Sequence, residues 1–105
     1  MAEIKFSPES LRDLREISEY ISQELENPLA ADNTIRKIIE RIKTLSDFPN
    51  IGNPISSVIN IETNYRYLVC ENYLSFYRVE NDTVYIVRVL YGGRNYIEIL
   101  FGKQE

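Results

Sequence analysis

The first half of the chain carries apolar residues at a helical period. Ser7 and Pro8 form a typical helix start, because serine caps free backbone N–H groups and proline suits the first helical position. Apolar residues then recur at steps of three and four, which predicts one buried stripe on a first helix of about five turns. The members of this stripe are Leu11, Leu14, Ile17, Ile21 and Leu25.

A second helix follows almost at once. Asn27 and Pro28 repeat the pattern of a capping residue followed by proline. Because the connection is so short, the two helices are expected to pair as an antiparallel hairpin. The apolar stripe of the second helix contains Ala31, Ile35, Ile38, Ile42 and Leu45.

The second half of the chain has the residue usage of β-strands. Segments 65–70, 73–80 and 83–91 are rich in Tyr, Val, Ile and Phe, which are favoured in strands. The dipeptides Glu71-Asn72 and Asn81-Asp82 between them are short enough for tight hairpins. These segments therefore predict a three-stranded antiparallel meander.

Three further segments complete the expected fold. Residues 2–6 are predicted to form a strand that extends an edge of the sheet, and residues 58–61 could add a short one. The apolar segment 96–101 predicts a helical turn or a strand packed against the sheet. We therefore expect one α+β domain over residues 1–105: an N-terminal strand, an antiparallel two-helix hairpin on a twisted antiparallel β-meander, and a short C-terminal element.

Composition narrows the chemistry. The 105 residues are 44% hydrophobic, and no apolar run is long enough to span a bilayer. The N-terminus also lacks the apolar stretch of a signal peptide, which predicts a cytoplasmic protein. The chain has no histidine, and Cys70 is its only cysteine, so neither a zinc site nor an activated thiol nucleophile is expected. No cofactor or metal is predicted. The net charge of −4 argues against general binding to nucleic acid phosphates, which would need a local basic patch.

The cations between positions 66 and 94 are all arginine. Arg78 is predicted to pair with Glu80 or Asp82, and Arg88 with a carboxylate across the sheet. Arg66 and Arg94 remain the two candidates for function.

Several short motifs follow one another in a definite order along the chain. They are Leu14-Arg15-Glu16-Ile17, Tyr20-Ile21, Leu45 through Pro49 to Gly52, Tyr65-Arg66, Leu68, Asn72-Tyr73, Phe76-Tyr77-Arg78-Val79 and Val84 through Tyr96. With the order of strand, helical hairpin, loop, meander and arginine-bearing tail, they resemble the RelE/ParE superfamily of bacterial toxins, and the long hairpin is closer to the ParE branch. These proteins are the toxins of type II toxin–antitoxin pairs. Leu74 stands where many ribonuclease members carry arginine, so the resemblance supports the toxin role better than a catalytic step.

The resemblance implies a toxin that inhibits growth by binding an essential target, DNA gyrase, with residues 92–101 as the docking element. It also implies neutralisation by a cognate antitoxin encoded by the adjacent gene, in a hetero-oligomeric complex without a membrane. The groove between the hairpin and the sheet is the expected antitoxin site. Two alternatives stay open: a ribosome-dependent mRNA endoribonuclease that blocks translation, and a non-toxic interaction module.

A metal-independent ribonuclease would need cations for the phosphate, a base for the 2′-OH and a proton donor. Arg66 and Arg94 are the candidate phosphate ligands, because guanidinium binds phosphate bidentately. Tyr96 is the candidate base-stacking group or proton donor, with Tyr91 as the weaker choice. The base is the missing part, since tyrosine and arginine titrate above about 10, which leaves only carboxylates. Those considered are Glu62, Glu71 and Glu98.

Overall fold

A five-stranded sheet carries two long helices on one face and a short helix on the other. The computed structural model describes residues 1–57 and 62–102, so the strand considered at 58–61 lies outside the described residues. The predicted α+β architecture is confirmed. The strands are β1 (Glu3–Phe6), β2 (Asn53–Pro54), β3 (Arg66–Cys70), β4 (Tyr73–Glu80) and β5 (Thr83–Tyr91), and the helices are α1 (Pro8–Glu19), α2 (Pro28–Lys43) and α3 (Tyr96–Phe101).

The strand order is β1-β5-β4-β3-β2. The meander β3-β4-β5 is antiparallel, as predicted, and β1 extends its edge by pairing parallel with β5. Glu71 and Asn81 have φ of 56° and 49°. Positive φ is what the favoured two-residue hairpin turns require, so both predicted hairpins are confirmed.

Both helix starts form as the sequence predicts. The Ser7 hydroxyl accepts a hydrogen bond from the backbone N–H of Ser10 at 2.9 Å, and the Asn27 side chain accepts one from Ala30 at 3.1 Å. Each cap therefore satisfies one of the N–H groups that a helix start leaves free.

The main core lies between the helical hairpin and one face of the sheet. Ile38, Ile42 and Leu45 from the second stripe are at most 1% exposed. The sheet contributes alternate residues, because side chains of a strand point to opposite faces in turn. The sheet residues of this core are Leu68, Tyr77, Val84, Ile86 and Val89.

The far face of the sheet has its own small core under α3. Phe76 and Leu90 are fully buried there. Tyr96 packs on Phe76 with ring centroids 5.2 Å apart, and Phe101 stacks on Tyr65 at 5.5 Å. The C-terminal element is therefore a helix packed against the sheet, which is one of the two forms that the sequence predicted.

The predicted stripe of the first helix is wrong at both ends. Leu11 is 50% exposed and Leu25 is 57% exposed. After α1 the chain makes a π-helical turn over Tyr20–Glu24, in which the Leu25 N–H bonds to the carbonyl of Tyr20, five residues back. The wider turn shifts the helical phase, so Leu25 leaves the buried stripe, whereas Leu11 lines the open groove between α1 and α2.

Of the two paired arginines, Arg78 follows the prediction and Arg88 does not. Arg78 pairs with Glu80 and lies 4.4 Å over the ring of Tyr85. Arg88 instead bonds to Asp13 of α1, with both nitrogen–oxygen distances at 2.8 Å. The expected partner was a carboxylate across the sheet, so that prediction is wrong.

Arg88 reaches Asp13 of α1 because β5 contains a bulge. Phe76 faces Arg88 and Tyr77 faces Ile86, which leaves Val87 as an extra residue in β5. Beyond Ile86 the edge of β5 is no longer paired with β1, and α1 crosses there. Asp13, only 4% exposed, accepts hydrogen bonds from both Arg88 and the Val89 N–H, at 2.9 Å for the latter.

Candidate functional site

A groove of about 520 Å³ runs between the end of the helical hairpin and the ends of β4 and β5. We call it the helix–sheet groove. It lies where the sequence predicted the antitoxin site, between the hairpin and the sheet. The residues that line it are Asp13, Glu16, Ile17, Tyr20, Leu25, Asn72, Tyr73, Val89, Leu90, Tyr91 and Arg94.

Large apolar side chains stand exposed around this groove. Tyr20, Leu25 and Tyr91 are each more than half exposed. Tyr91 makes an edge-on ring contact with Tyr73, with centroids 6.1 Å apart. Exposed aromatic and aliphatic residues that share one concave surface are typical of a protein-binding site.

Two structural features present these side chains. The π-helical turn carries Tyr20, and Leu25 follows directly after it. On the opposite wall, the ring of Tyr91 lies so close to Gly93 that a Cβ there would stand 2.5 Å from it. A side chain at position 93 would therefore push the exposed Tyr91 ring out of its present position.

The groove combines a partly buried tyrosine with charged side chains on its wall. Burial raises the pKa of Tyr73, and the neighbouring Tyr20 and Tyr91 raise it further. Tyr73 therefore stays neutral in the physiological range. The charged side chains of the groove wall are Glu16, Arg94 and Asp13, of which Asp13 is occupied by Arg88.

Arg66 lies elsewhere, at the start of β3. Its Nη1 donates hydrogen bonds to the carbonyls of Gly52 at 2.8 Å and Asn50 at 3.2 Å. The side chain thus holds the loop that precedes β2. It also lines a separate concavity of about 410 Å³ with Asn64 and Tyr65.

The structure does not gather the three predicted catalytic residues. Arg66 begins β3, whereas Arg94 follows the end of β5, and β4 lies between these two strands. The end of β5 is also offset from Arg66 by about 13 Å along the strand direction, at 3.3 Å per residue. Arg94 lines the helix–sheet groove. Tyr96 lies on the far face of the sheet, where its ring packs at a tilt against Phe76. Their catalytic role stays a prediction without a shared cavity to support it.

The candidate bases are equally scattered. Glu71 pairs with Lys37 at 2.9 Å beside the β3–β4 turn, and both side chains are about half exposed. Glu98 lies on α3 and accepts a hydrogen bond from the side chain of Asn95, which directly precedes this helix. Glu62 is exposed in the segment before β3.

Comparison with known proteins decides the family. The model of the family described as "ParE toxin of type II toxin-antitoxin system, parDE" matches residues 4–96. The chain belongs to the ParE toxin family. The resemblance to RelE/ParE toxins, and to the ParE branch in particular, is confirmed.

A solved relative supports the ParE fold. The chain superposes on a chain of the chromosomal ParDE toxin–antitoxin system from P. aeruginosa with a TM-score of 0.73 and 24% sequence identity. The match covers 87% of this chain and 96% of the other. No curated protein matches the sequence at a significant level.

Two further observations concern the described part of this ParE-family chain. In residues 1–57 and 62–102, no helix is long and apolar enough to cross a membrane. Over the same ranges, no three His, Cys, Asp or Glu side chains cluster as metal ligands.

Sequence reasoning missed most of the groove. Leu25 was assigned to the buried stripe, because nothing in its spacing signals a π-helical turn. Tyr20 and Tyr73 appeared only as parts of family motifs. The signal that could have found Tyr91 is its place directly before Gly92-Gly93, where a large ring would be left at the end of a strand.

Proposed function

We propose that this ParE-family toxin inhibits growth by binding DNA gyrase, and that the antitoxin encoded by the adjacent gene neutralises it by occupying the helix–sheet groove. The observation that carries the proposal is the position of Tyr91 and Arg94. Tyr91 is the exposed last residue of β5, Arg94 is exposed on the turn that follows, and both line the groove. A protein seated in the groove would therefore cover the same turn.

The target-binding part of the tail is narrower than the sequence suggested. Tyr96, Ile99, Leu100 and Phe101 pack on the far-face core, so the apolar side of α3 contacts the chain's own sheet. Residues 91–95 remain exposed. Tyrosine and arginine dominate the binding energy of many protein interfaces, which makes this turn the best contact for gyrase.

The groove fits a helical segment of an antitoxin. Its floor and rim are apolar and aromatic, which suits the apolar face of an amphipathic helix. Glu16 and Arg94 of the groove wall carry opposite charges, and these would select a partner with complementary charges and fix its direction. Neutralisation then follows from exclusion, since toxin residues bound to the antitoxin are not free for the target.

The ribonuclease alternative has weaker support. Arg66 is engaged by two backbone carbonyls, and its cavity contains neither Arg94 nor Tyr96. Electrostatic stabilisation of a phosphate transition state needs cations that converge on one point. The scattered positions therefore favour binding over catalysis.

The first experiment is a pulse-label after induced expression in a bacterium, with thymidine and methionine incorporation measured side by side. The proposal expects DNA synthesis to fall first. An earlier fall in protein synthesis supports the ribonuclease instead, and unchanged growth supports a non-toxic module.

The second experiment tests the turn. Arg94→Ala is expected to raise the concentration that half-inhibits gyrase supercoiling by about tenfold or more, as for an interface hot spot. Arg12→Ala removes another exposed arginine, which lies on α1 outside the groove, and this variant is expected to behave as the wild type. Equal inhibition by all three proteins would contradict the role of the turn.

A further inference from the structure

The outer edge of β3 is covered over only part of its length. β2 pairs with β3 through Asn53 opposite Tyr67 and Pro54 opposite Arg66. The chain leaves the edge at Gly52, whose N–H bonds to the Tyr77 hydroxyl at 2.9 Å. No described residue pairs with the outer side of β3 beyond Tyr67.

The hydrogen-bond pattern shows which backbone groups this leaves open. In β3 the outward-facing residues are the odd-numbered ones, since the Tyr65 carbonyl accepts from Ile55 and Tyr67 faces Asn53. The two-residue turn makes Cys70 and Tyr73 a hydrogen-bonded pair, so the next pair along, Val69 and Leu74, is a non-bonded one. The N–H and C=O of Val69 therefore point away from the sheet.

The side chains at this edge do little to block pairing. Natural edge strands are usually protected by charges, proline or a bulge. Here Val69 is apolar, β-branched and 47% exposed. A free backbone donor and acceptor on one residue, beside such a side chain, match an extended peptide better than any other ligand.

Charge near the edge indicates what that peptide carries. Burial raises the pKa of Cys70 and the charge of Glu71 raises it further, while Arg41 and Lys37 of α2 are close enough to lower it. Lys37 is paired with Glu71, but Arg41 is exposed and has no ion pair within residues 1–57 and 62–102. Because alternate side chains of an added strand point to opposite faces, one set would lie beside Val69 and the other towards Arg41.

We propose that an extended segment of the antitoxin adds to the sheet as a strand along the outer edge of β3, pairing with the backbone of Val69 and directing a carboxylate towards Arg41. This is a second contact, distinct from the helix–sheet groove. It rests on the proposed antitoxin binding and specifies how part of the partner is held.

The test compares two substitutions at one position. Val69→Pro removes the outward N–H, and its ring is compatible with an edge strand because no bond to β4 is lost. Val69→Thr keeps both the N–H and the β-branched shape. With the full-length product of the adjacent gene as the probe, Val69→Pro is expected to raise the Kd about tenfold or more, and Val69→Thr by less than about twofold.

Amide hydrogen exchange in the wild-type complex provides a readout that needs no variant to fold. The Val69 amide is expected to exchange at least about tenfold more slowly in the complex than in the free chain, since it becomes hydrogen-bonded. Equal exchange in both states, or equal affinities of the two variants, overturns the proposal while leaving antitoxin binding intact. A wild-type homodimer that Val69→Pro dissociates, with antitoxin affinity unchanged, assigns the edge to a second copy and also overturns it. Failure to form any complex contradicts the proposed function and this inference together.

Discussion

Replacing Asp13 by alanine is the strongest single test of how this fold is held together. Asp13 is 4% exposed and accepts three hydrogen bonds, two from the Arg88 guanidinium and one from the Val89 N–H. The pair connects α1 to the bulged half of β5. The hydrogen bonds to Asp13 are also the main reason that the pKa of Arg88 is raised.

The expected cost follows from what the substitution leaves behind. The Arg88 side chain is 26% exposed, so it regains part of its hydration when its partner is removed. Breaking a buried ion pair costs about 3–5 kcal/mol, and leaving a buried N–H such as that of Val89 unsatisfied costs about 1–3 kcal/mol. With the partial exposure of Arg88 taken into account, we expect a loss of about 3 kcal/mol in the free energy of unfolding. For a domain of this size that corresponds to a fall in Tm of roughly 12–24 °C.

The assay is urea and thermal unfolding followed by circular dichroism. Glu19→Ala is the matched control, because it removes an exposed carboxylate from the same helix, and we expect it to lie within about 0.5 kcal/mol of the wild type. A double-mutant cycle with Arg88→Ala should give a coupling energy above about 1 kcal/mol. If Asp13→Ala unfolds like Glu19→Ala, or the coupling is absent, the ion pair does not hold α1 on β5 and the reasoning is refuted.

Two further predictions concern the buried Tyr77 and its contact with Gly52. Burial raises the pKa of Tyr77 above the usual 10.0, so the stability that its neutral form contributes is full below the unfolded pKa and is lost as the pH rises through the folded one. The free energy of unfolding should therefore fall as the pH rises above about 10, and less steeply in Tyr77→Phe. Tyr77→Phe should also lose about 1–2 kcal/mol at neutral pH, because the Gly52 N–H loses its acceptor. Equal pH slopes of the two proteins in denaturant titrations would contradict this. Gly52→Ala places a Cβ 2.5 Å from the Tyr77 hydroxyl and 2.9 Å from the Tyr67 carbonyl; we expect a loss of at least about 2 kcal/mol in the same titration, and a neutral result would mean that the loop moves freely.

The sequence was a good guide wherever the controlling contacts are local. Ser7 and Asn27 cap their helices as predicted, because the capping bond reaches only three residues ahead. The hairpins at Glu71 and Asn81 formed because two-residue turns leave the strands few other registers. Of the second apolar stripe, Ala31, Ile38, Ile42 and Leu45 are buried and Ile35 is partly buried, as the helical period predicted.

The sequence was a poor guide to contacts between segments that are distant along the chain. The spacing of Leu25 gave no sign of the π-helical turn, and the carboxylate that Arg88 binds lies 75 residues away on another element. The candidate site shows the same limit. Arg66 and Arg94 look alike in sequence, yet one binds backbone carbonyls of a loop and the other lines an exposed groove.

The sequence by itself therefore determined the element types, the caps, the turns, the helical hairpin and the membership of a toxin superfamily, since all of these depend on local spacing or on residue order. Only the tertiary structure decided that β1 pairs parallel with β5, that α3 covers the far face, and that Tyr20, Leu25, Tyr73 and Tyr91 share a groove. It also decided that Val69 lies on an open edge. Side chains far apart in sequence come together only when the core packs, and packing is set by the shapes of all the elements at once.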